Sequence, residues 1–155
     1  MRYSGRKGWQ AHYKDAWSVD YTLNPIIYAV LVKFYEQKDK PMFGTPSSIY
    51  YTLFPDIGMG DTTPEQEEQA QKYWHECIEK MIYAFNPASE PDIANYDFKY
   101  TWEDADSPLR GMRVKTVTCT NEQERDRYAK DCKSYEEKAA EGRELFAKYY
   151  LNLWW

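Results

Sequence analysis

The stretch from Thr63 to Asn86 constrains the fold of this chain more than any other. It opens Thr63-Pro64-Glu65-Gln66. The threonine hydroxyl can accept from the backbone N–H of Gln66, and the glutamine can reach back to the threonine backbone, which makes a capping box. Proline suits the first helical position, where its missing N–H costs nothing. Glu65, Glu67 and Glu68 sit near the positive end of the helix dipole. Ala70, Tyr73, Trp74, Cys77, Ile78, Met81, Ile82 and Phe85 then form one apolar stripe at helical spacing, and Asn86-Pro87 stops it. A long helix with one apolar side must be covered, so the rest of the chain reads first as its cover.

A second helix is predicted over 24–39. Asn24 can cap it, Pro25 suits its first position, and Ile26, Ile27, Val30, Leu31 and Phe34 share a stripe. Trp74, Ile78, Met81 and Phe85 are expected to pack on Ile27, Val30, Leu31 and Phe34. Residues 41–63 carry Pro41, Gly44, Pro46, Pro55, Gly58 and Gly60, which is loop chemistry. Within it, Ile49 to Phe54 reads as a helical turn or a short strand.

Tyr96 to Glu103 alternates aromatic and polar residues, and Val114 to Thr120 is rich in β-branched residues. With turn residues at 104–108, this predicts an antiparallel hairpin over 96–120. Its aromatic face should rest on a helix, with Phe98 and Tyr100 in the core and Trp102 at the rim.

The third helix is expected from Asn121 to the C-terminus, with Asn121 and Glu124 as a capping box. Tyr128, Cys132, Tyr135, Ala139, Gly142, Phe146, Tyr149 and Leu153 follow a heptad-like seam. Because its first half is crowded with charge, the helix is expected to project or to break near Gly142. The expected fold class is therefore mainly α with a small β-hairpin (α+β), three principal helices with the hairpin packed on them. A single domain, 1–155, is expected, with an aromatic arm over 1–22 as its first part.

Composition narrows the function classes. A chain of 155 residues suits one domain. No apolar run approaches the ~20 residues that cross a bilayer, and the basic start is not followed by an apolar stretch, so neither a membrane span nor a secretory signal is expected. Cys77, Cys119 and Cys132 form no CxxC pair, which points to free thiols in a reducing, cytoplasmic compartment. A net charge of -5 disfavours binding of long nucleic acid. Fifteen tyrosines and six tryptophans are the unusual feature. Such rings build either a core with a half-wet rim or a recognition surface.

Catalytic patterns are sparse. His75-Glu76 is followed three residues later by Glu79, so it is no His-Glu-x-x-His zinc motif. His75 and Glu79 share a helix face and read as a solvated pair. The loop carboxylates Asp56, Asp61, Asp104 and Asp106 could hold a divalent cation, yet they match no EF-hand loop and suit capping and turn roles better. Gly58-Met59-Gly60 precedes a helix whose first-turn glutamates would repel phosphate. No catalytic residue, metal ligand or cofactor is assigned. What remains is rings beside cations. Trp9 and Trp17 stand near Arg6, Lys7 and Lys14, and Trp102 stands with Arg110 and Arg113 across the expected hairpin. Aromatic stacking and bidentate guanidinium contacts make Trp9, Trp17, Trp102, Arg110 and Arg113 the candidate ligand- or partner-binding residues.

Three segments carry a family resemblance. They are Trp17 to Asp20, Trp74 to Phe85 with its Lys80-Met81-Ile82 and Ala84-Phe85, and Gly142 to Trp154 with its Leu145-Phe146-Ala147-Lys148-Tyr149-Tyr150. Together they resemble a group of small tailed-bacteriophage proteins in which two such helices recur around a variable middle. The resemblance implies a phage origin and supplies no catalytic or binding residue. The function expected is thus a non-enzymatic phage accessory protein that binds a host protein or a small nucleotide stoichiometrically, as counter-defence proteins do, in the cytoplasm of the infected host. Two alternatives stand beside it. One is a divalent-metal-dependent phosphoester enzyme using the loop carboxylates. The other is an oligomeric, virion-associated part, a homo-oligomer through the C-terminal helix.

Overall fold

The computed structural model describes residues 2–4, 8–11, 13–16, 18–40, 43–57, 61–106 and 113–153, with backbone alone at 2–4, 8–10, 14, 100, 102–106 and 113–118. Among the described residues the α-helices are α1 (Val19–Tyr35), α2 (Ser47–Leu53), α3 (Pro64–Phe85) and α4 (Glu122–Tyr149). The chain divides into two compact units, Met1–Ser89 with Lys138–Trp155, and Glu90–Glu137.

In the first unit α3 is the central helix. Thr63 Oγ1 accepts from the Gln66 N–H at 3.4 Å, and Gln66 Oε1 accepts from the Thr63 N–H at 2.9 Å, so the capping box closes as the sequence requires. Trp74, Ile78, Met81 and Phe85 are buried. α1 and α2 both pack on α3, and Leu31 and Phe34 from α1, Ile49 from α2, and Ala139 and Tyr149 from α4 are buried too. Trp74 stands edge-on to Tyr149 with ring centroids 5.7 Å apart, and Phe85 stands edge-on to Phe146 at 4.9 Å.

The cover differs from the expected one in three ways. First, α1 starts at Val19, with Ser18 at its cap and Pro25 inside it. The Thr22 hydroxyl donates to the carbonyls of Asp15 and Ser18, 3.1 Å each, and so ties the preceding turn to the helix. Pro25 removes only one backbone donor early in the helix, on an exposed face, where water can satisfy the freed carbonyl. Second, of the two forms that Ile49 to Phe54 allowed, a helical turn and a short strand, the helical one forms, and it starts earlier, at Ser47. Pro46 leads into α2, whose Ile49 side chain is fully buried. Third, Gly142 does not break α4. The helix runs through it, and Gly142 is buried where a Cβ would stand 2.2 Å from the Lys80 carbonyl oxygen and 2.6 Å from Ala84 Cβ. Glycine is there because two helix backbones approach closely.

The expected α+β class is overturned. Over residues with described side chains the chain is mainly helical (74%) and contains no β-strand element, so no hairpin packed on helices forms part of the fold. Antiparallel pairing is described for backbone only, Arg2–Ser4 with Gly8–Gln10 and Tyr100–Asp106 with Arg113–Cys119. Residues 96–99, placed by their alternation in a strand, do something else. Asp92 caps a 3-10 turn over Ile93–Asn95, and the half-buried rings of Tyr96 and Phe98 both stack on Tyr128 of α4, at 5.0 and 5.5 Å. The period of two did put these rings on one side. The side is that of a helix-bound extended segment, because Tyr128 and the Asp131 carboxylate, 2.8 Å from the Tyr96 hydroxyl, offer a closer partner.

Candidate functional site

Trp17 and Arg110 lie outside the described residues, and so do the side chains of Trp9, Trp102 and Arg113. Three other places in the first unit gather chemistry.

The most open is the outer face of α1. Val19 is 52% exposed, Leu23 38%, Ile26 44% and Val30 63%. These four residues follow steps of four, three and four, so they form one seam along the helix. Their exposure corrects the expected stripe. Leu31 and Phe34 face α3, Ile27 is half-buried, and Val30, one residue before Leu31, is turned by about 100° onto the outer face. The signal was present in the sequence. Val19 and Leu23 extend an apolar row that a helix starting at Asn24 would have left out. Beside Val30 the seam widens into a notch of about 470 Å³ bounded by Ala29, Leu31, Lys33, Phe34 and Leu153.

A second groove, of about 440 Å³, lies along α3 and the last part of α4. Its lining holds three carboxylates (Glu76, Glu79 and Glu141), two ammonium groups (Lys80 and Lys138) and Tyr83. Lys80 Nζ stands 2.6 Å from Glu141, which raises its pKa, and Lys138 lies 6.0 Å from the Tyr83 ring centre. Acid exceeds base in this groove, so it suits phosphate poorly.

The third place surrounds His75. Its expected partner Glu79 instead accepts the Tyr35 hydroxyl at 2.5 Å. Burial and this bond push Tyr35 up to about 12. The imidazole packs edge-on to Tyr35 and against Phe43, and its Nε2 has no hydrogen-bond partner among the described residues. Burial first, and Lys38 second, lower its pKa from the ordinary 6.5. The folded protein therefore binds a proton at His75 less readily than the unfolded chain does. Its contribution to stability is complete above pH 6.5 and falls as pH drops from there toward the folded value. His75→Gln is accordingly expected to flatten the dependence of Tm on pH below about 6.5, and calorimetry on the acid side of that value checks it. An unchanged slope would remove His75 as its source.

In the second unit Tyr96, Phe98 and Tyr128 cluster, with the Arg127 guanidinium 5.1 Å from the Tyr96 ring centre. Much of the heptad-like seam of α4 is thus used within the chain. Tyr128 takes the rings of the 96–98 segment, while Gly142, Phe146 and Tyr149 take α3.

Among the described residues no three His, Cys, Asp or Glu side chains group to hold a metal ion, and no helix is long and apolar enough to cross a membrane. Comparison with family models, with curated proteins and with solved structures finds no match to this chain.

Proposed function

We propose that this chain is a non-enzymatic phage accessory protein that acts by stoichiometric binding in the infected host cell, and that its partner is a protein rather than a small nucleotide. The observation that carries the reading is the open apolar seam of Val19, Leu23, Ile26 and Val30 on α1, which the chain's own described core leaves uncovered. Contiguous apolar side chains on a helix face give affinity for another protein surface. The acidic excess of the α3–α4 groove argues in the same direction, because it offers nucleotide phosphates little. The resemblance of three segments to those of tailed-phage proteins is what favours a phage origin. Part of them serves packing: Trp74, Met81, Ala84, Phe85, Gly142 and Tyr149 are all buried.

The test is affinity capture from a bacterial lysate with the wild-type chain and with Val30→Glu, paired with calorimetric titration of nucleotides. A host protein held in fixed ratio by the wild type and lost by the variant is expected, with no heat from nucleotides. Nucleotide binding, or capture unaffected by the variant, would sink the reading.

A further inference from the structure

We infer that His75 is a proton-operated latch: when its ring is charged, the C-terminal end of α1 and Phe43 come off α3 while the rest of the first unit stays folded. The device is independent of the seam on α1 and of the partner proposed for it.

The latch is built from rings and one hydrogen bond. His75 lies on α3, with its imidazole edge-on to Tyr35 at 5.7 Å and against Phe43 at 5.8 Å. Phe43 is buried and packs on Phe34, 4.9 Å away, so it closes this corner of the α1–α3 contact. The Tyr35 hydroxyl donates to Glu79, one turn beyond His75, at 2.5 Å. His75 Nε2 is enclosed and meets no acceptor among the described residues. A neutral imidazole tolerates that, because Nε2 can carry a lone pair in place of a hydrogen. An imidazolium does not. Both its nitrogens must donate, and an enclosed charged N–H without an acceptor is far costlier than a neutral atom in the same place. The charged groups facing the ring offer little relief. Glu79, on α3, is held by Tyr35, which keeps its proton up to about 12. In the turn after α1, the Lys38 ammonium opposes the new charge and outweighs Asp39 beside it.

What yields is set by how the cover is held. The described backbone bonds around the end of α1 close on the segment itself: the N–H groups of Glu36, Gln37, Lys38, Lys40 and Phe43 donate to Val32, Phe34, Tyr35, Gln37 and Lys40. Among the described residues none runs to α3. Beyond Phe34 the segment is fastened to α3 by ring packing and the Tyr35–Glu79 bond. Deeper in the same contact Leu31, Trp74, Ile78 and Met81 are fully buried, and none of them titrates in this range. The least costly way to bring Nε2 to water is therefore to lift the end of α1 and Phe43, a local opening below the free energy of global unfolding. A helix end that loses its tertiary cover frays.

The experiment is hydrogen–deuterium exchange of the full chain at about pH 7.5 and in steps below 6.5, read as protection factors so that the pH dependence of chemical exchange cancels. Peptides over 32–40 should lose protection by at least about tenfold as pH falls, while peptides over 74–82 keep theirs. The midpoint should coincide with the titration of the His75 ring, followed by proton NMR in a His12→Gln background that leaves one histidine of the two. His75→Phe keeps a ring and loses the proton. His75→Gln does the same without relying on how a phenylalanine packs. In both, the protection of 32–40 should no longer depend on pH. Tyr35→Phe removes the bond to Glu79 and should move the midpoint up, toward 6.5. Protection lost equally over 32–40 and 74–82 would be global unfolding and overturns the inference. A His75 that takes its proton while 32–40 stay protected overturns it too, because the ring then reaches water by swinging out alone. So does an acid-dependent loss that persists in both His75 variants, or a midpoint that Tyr35→Phe leaves in place.

Discussion

Gly142→Ala should cost the first unit roughly 3 kcal/mol, against the direction that helix propensity alone dictates. Replacing a mid-helix glycine with alanine normally gains about 1 kcal/mol. Here the added methyl would stand 2.2 Å from the Lys80 carbonyl oxygen, 2.6 Å from Ala84 Cβ and 2.9 Å from the Lys80 carbonyl carbon. Two of those three atoms belong to the backbone of α3, so no side-chain rotation makes room. The helices must separate, and that opens gaps around Ala139 and Tyr149, both buried in the same contact. Overpacking typically costs about 1–3 kcal/mol, and rigid backbone neighbours put this site at the upper end. Urea denaturation of the variant beside Glu144→Ala, an exposed α4 position, checks it. A Gly142→Ala protein as stable as the parent would show that α3 and α4 do not approach as described.

Trp74→Ala should be about as damaging, at roughly 3–5 kcal/mol. The ring is 1% exposed and holds Tyr149 edge-on, so its loss leaves a cavity between α3 and α4 that Tyr149 alone cannot fill. Against a domain stability of about 5–15 kcal/mol this threatens folding outright. Trp74→Phe separates volume from polarity. The indole Nε1 is buried with no partner among the described residues, and phenylalanine removes that unsatisfied donor while keeping an aromatic ring. It should therefore cost well under half as much. Equal losses for the two variants, read from urea midpoints and near-UV dichroism, would contradict this account.

What the sequence made legible was governed by local signals. The α3 boundaries followed from a capping box and a proline stop, and its stripe is buried as its period demanded except at Tyr73 and Ile82, which are half-buried at its margins. Where a local signal competed with a tertiary one, the tertiary one won. Asn24-Pro25 has the chemistry of a helix start, but the hydroxyl of Thr22 holds an earlier start in place. Alternation at 96–99 suggested a strand, whereas Tyr128 offered those rings a helix face. Glu124 was expected to close a capping box on Asn121. Asn121 Oδ1 does accept the Glu124 N–H at 3.4 Å, but the glutamate carboxylate is taken by the Asp97 N–H at 3.1 Å. Gly142 was read for what glycine costs a helix, because the helix that needs it small lies some sixty residues away in sequence. For the site, the α1 seam was half visible. The spacing of Ile26 and Val30 suits the core as well as an open seam, since periodicity reports that a helix has an apolar face and not which body covers it.

The bonds that divert Glu124 also close a clasp. Asn121 Nδ2 donates to the Asp97 carbonyl at 3.0 Å, and the Thr120 N–H donates to the Lys99 carbonyl at 2.9 Å, so residues 97–99 and 120–121 are fastened side by side. The described residues between them, 100–106 and 113–119, are joined to a base that is already tied. The entropy of closing such a loop grows only with the logarithm of its length, about 0.6 kcal/mol for each doubling. The span between the clasped ends can therefore lengthen, shorten or be exchanged for a foreign peptide at small cost to the helices that hold it. In a lineage under pressure to change what it displays, this is where length variation would accumulate first, and in the laboratory it is the place to graft an epitope.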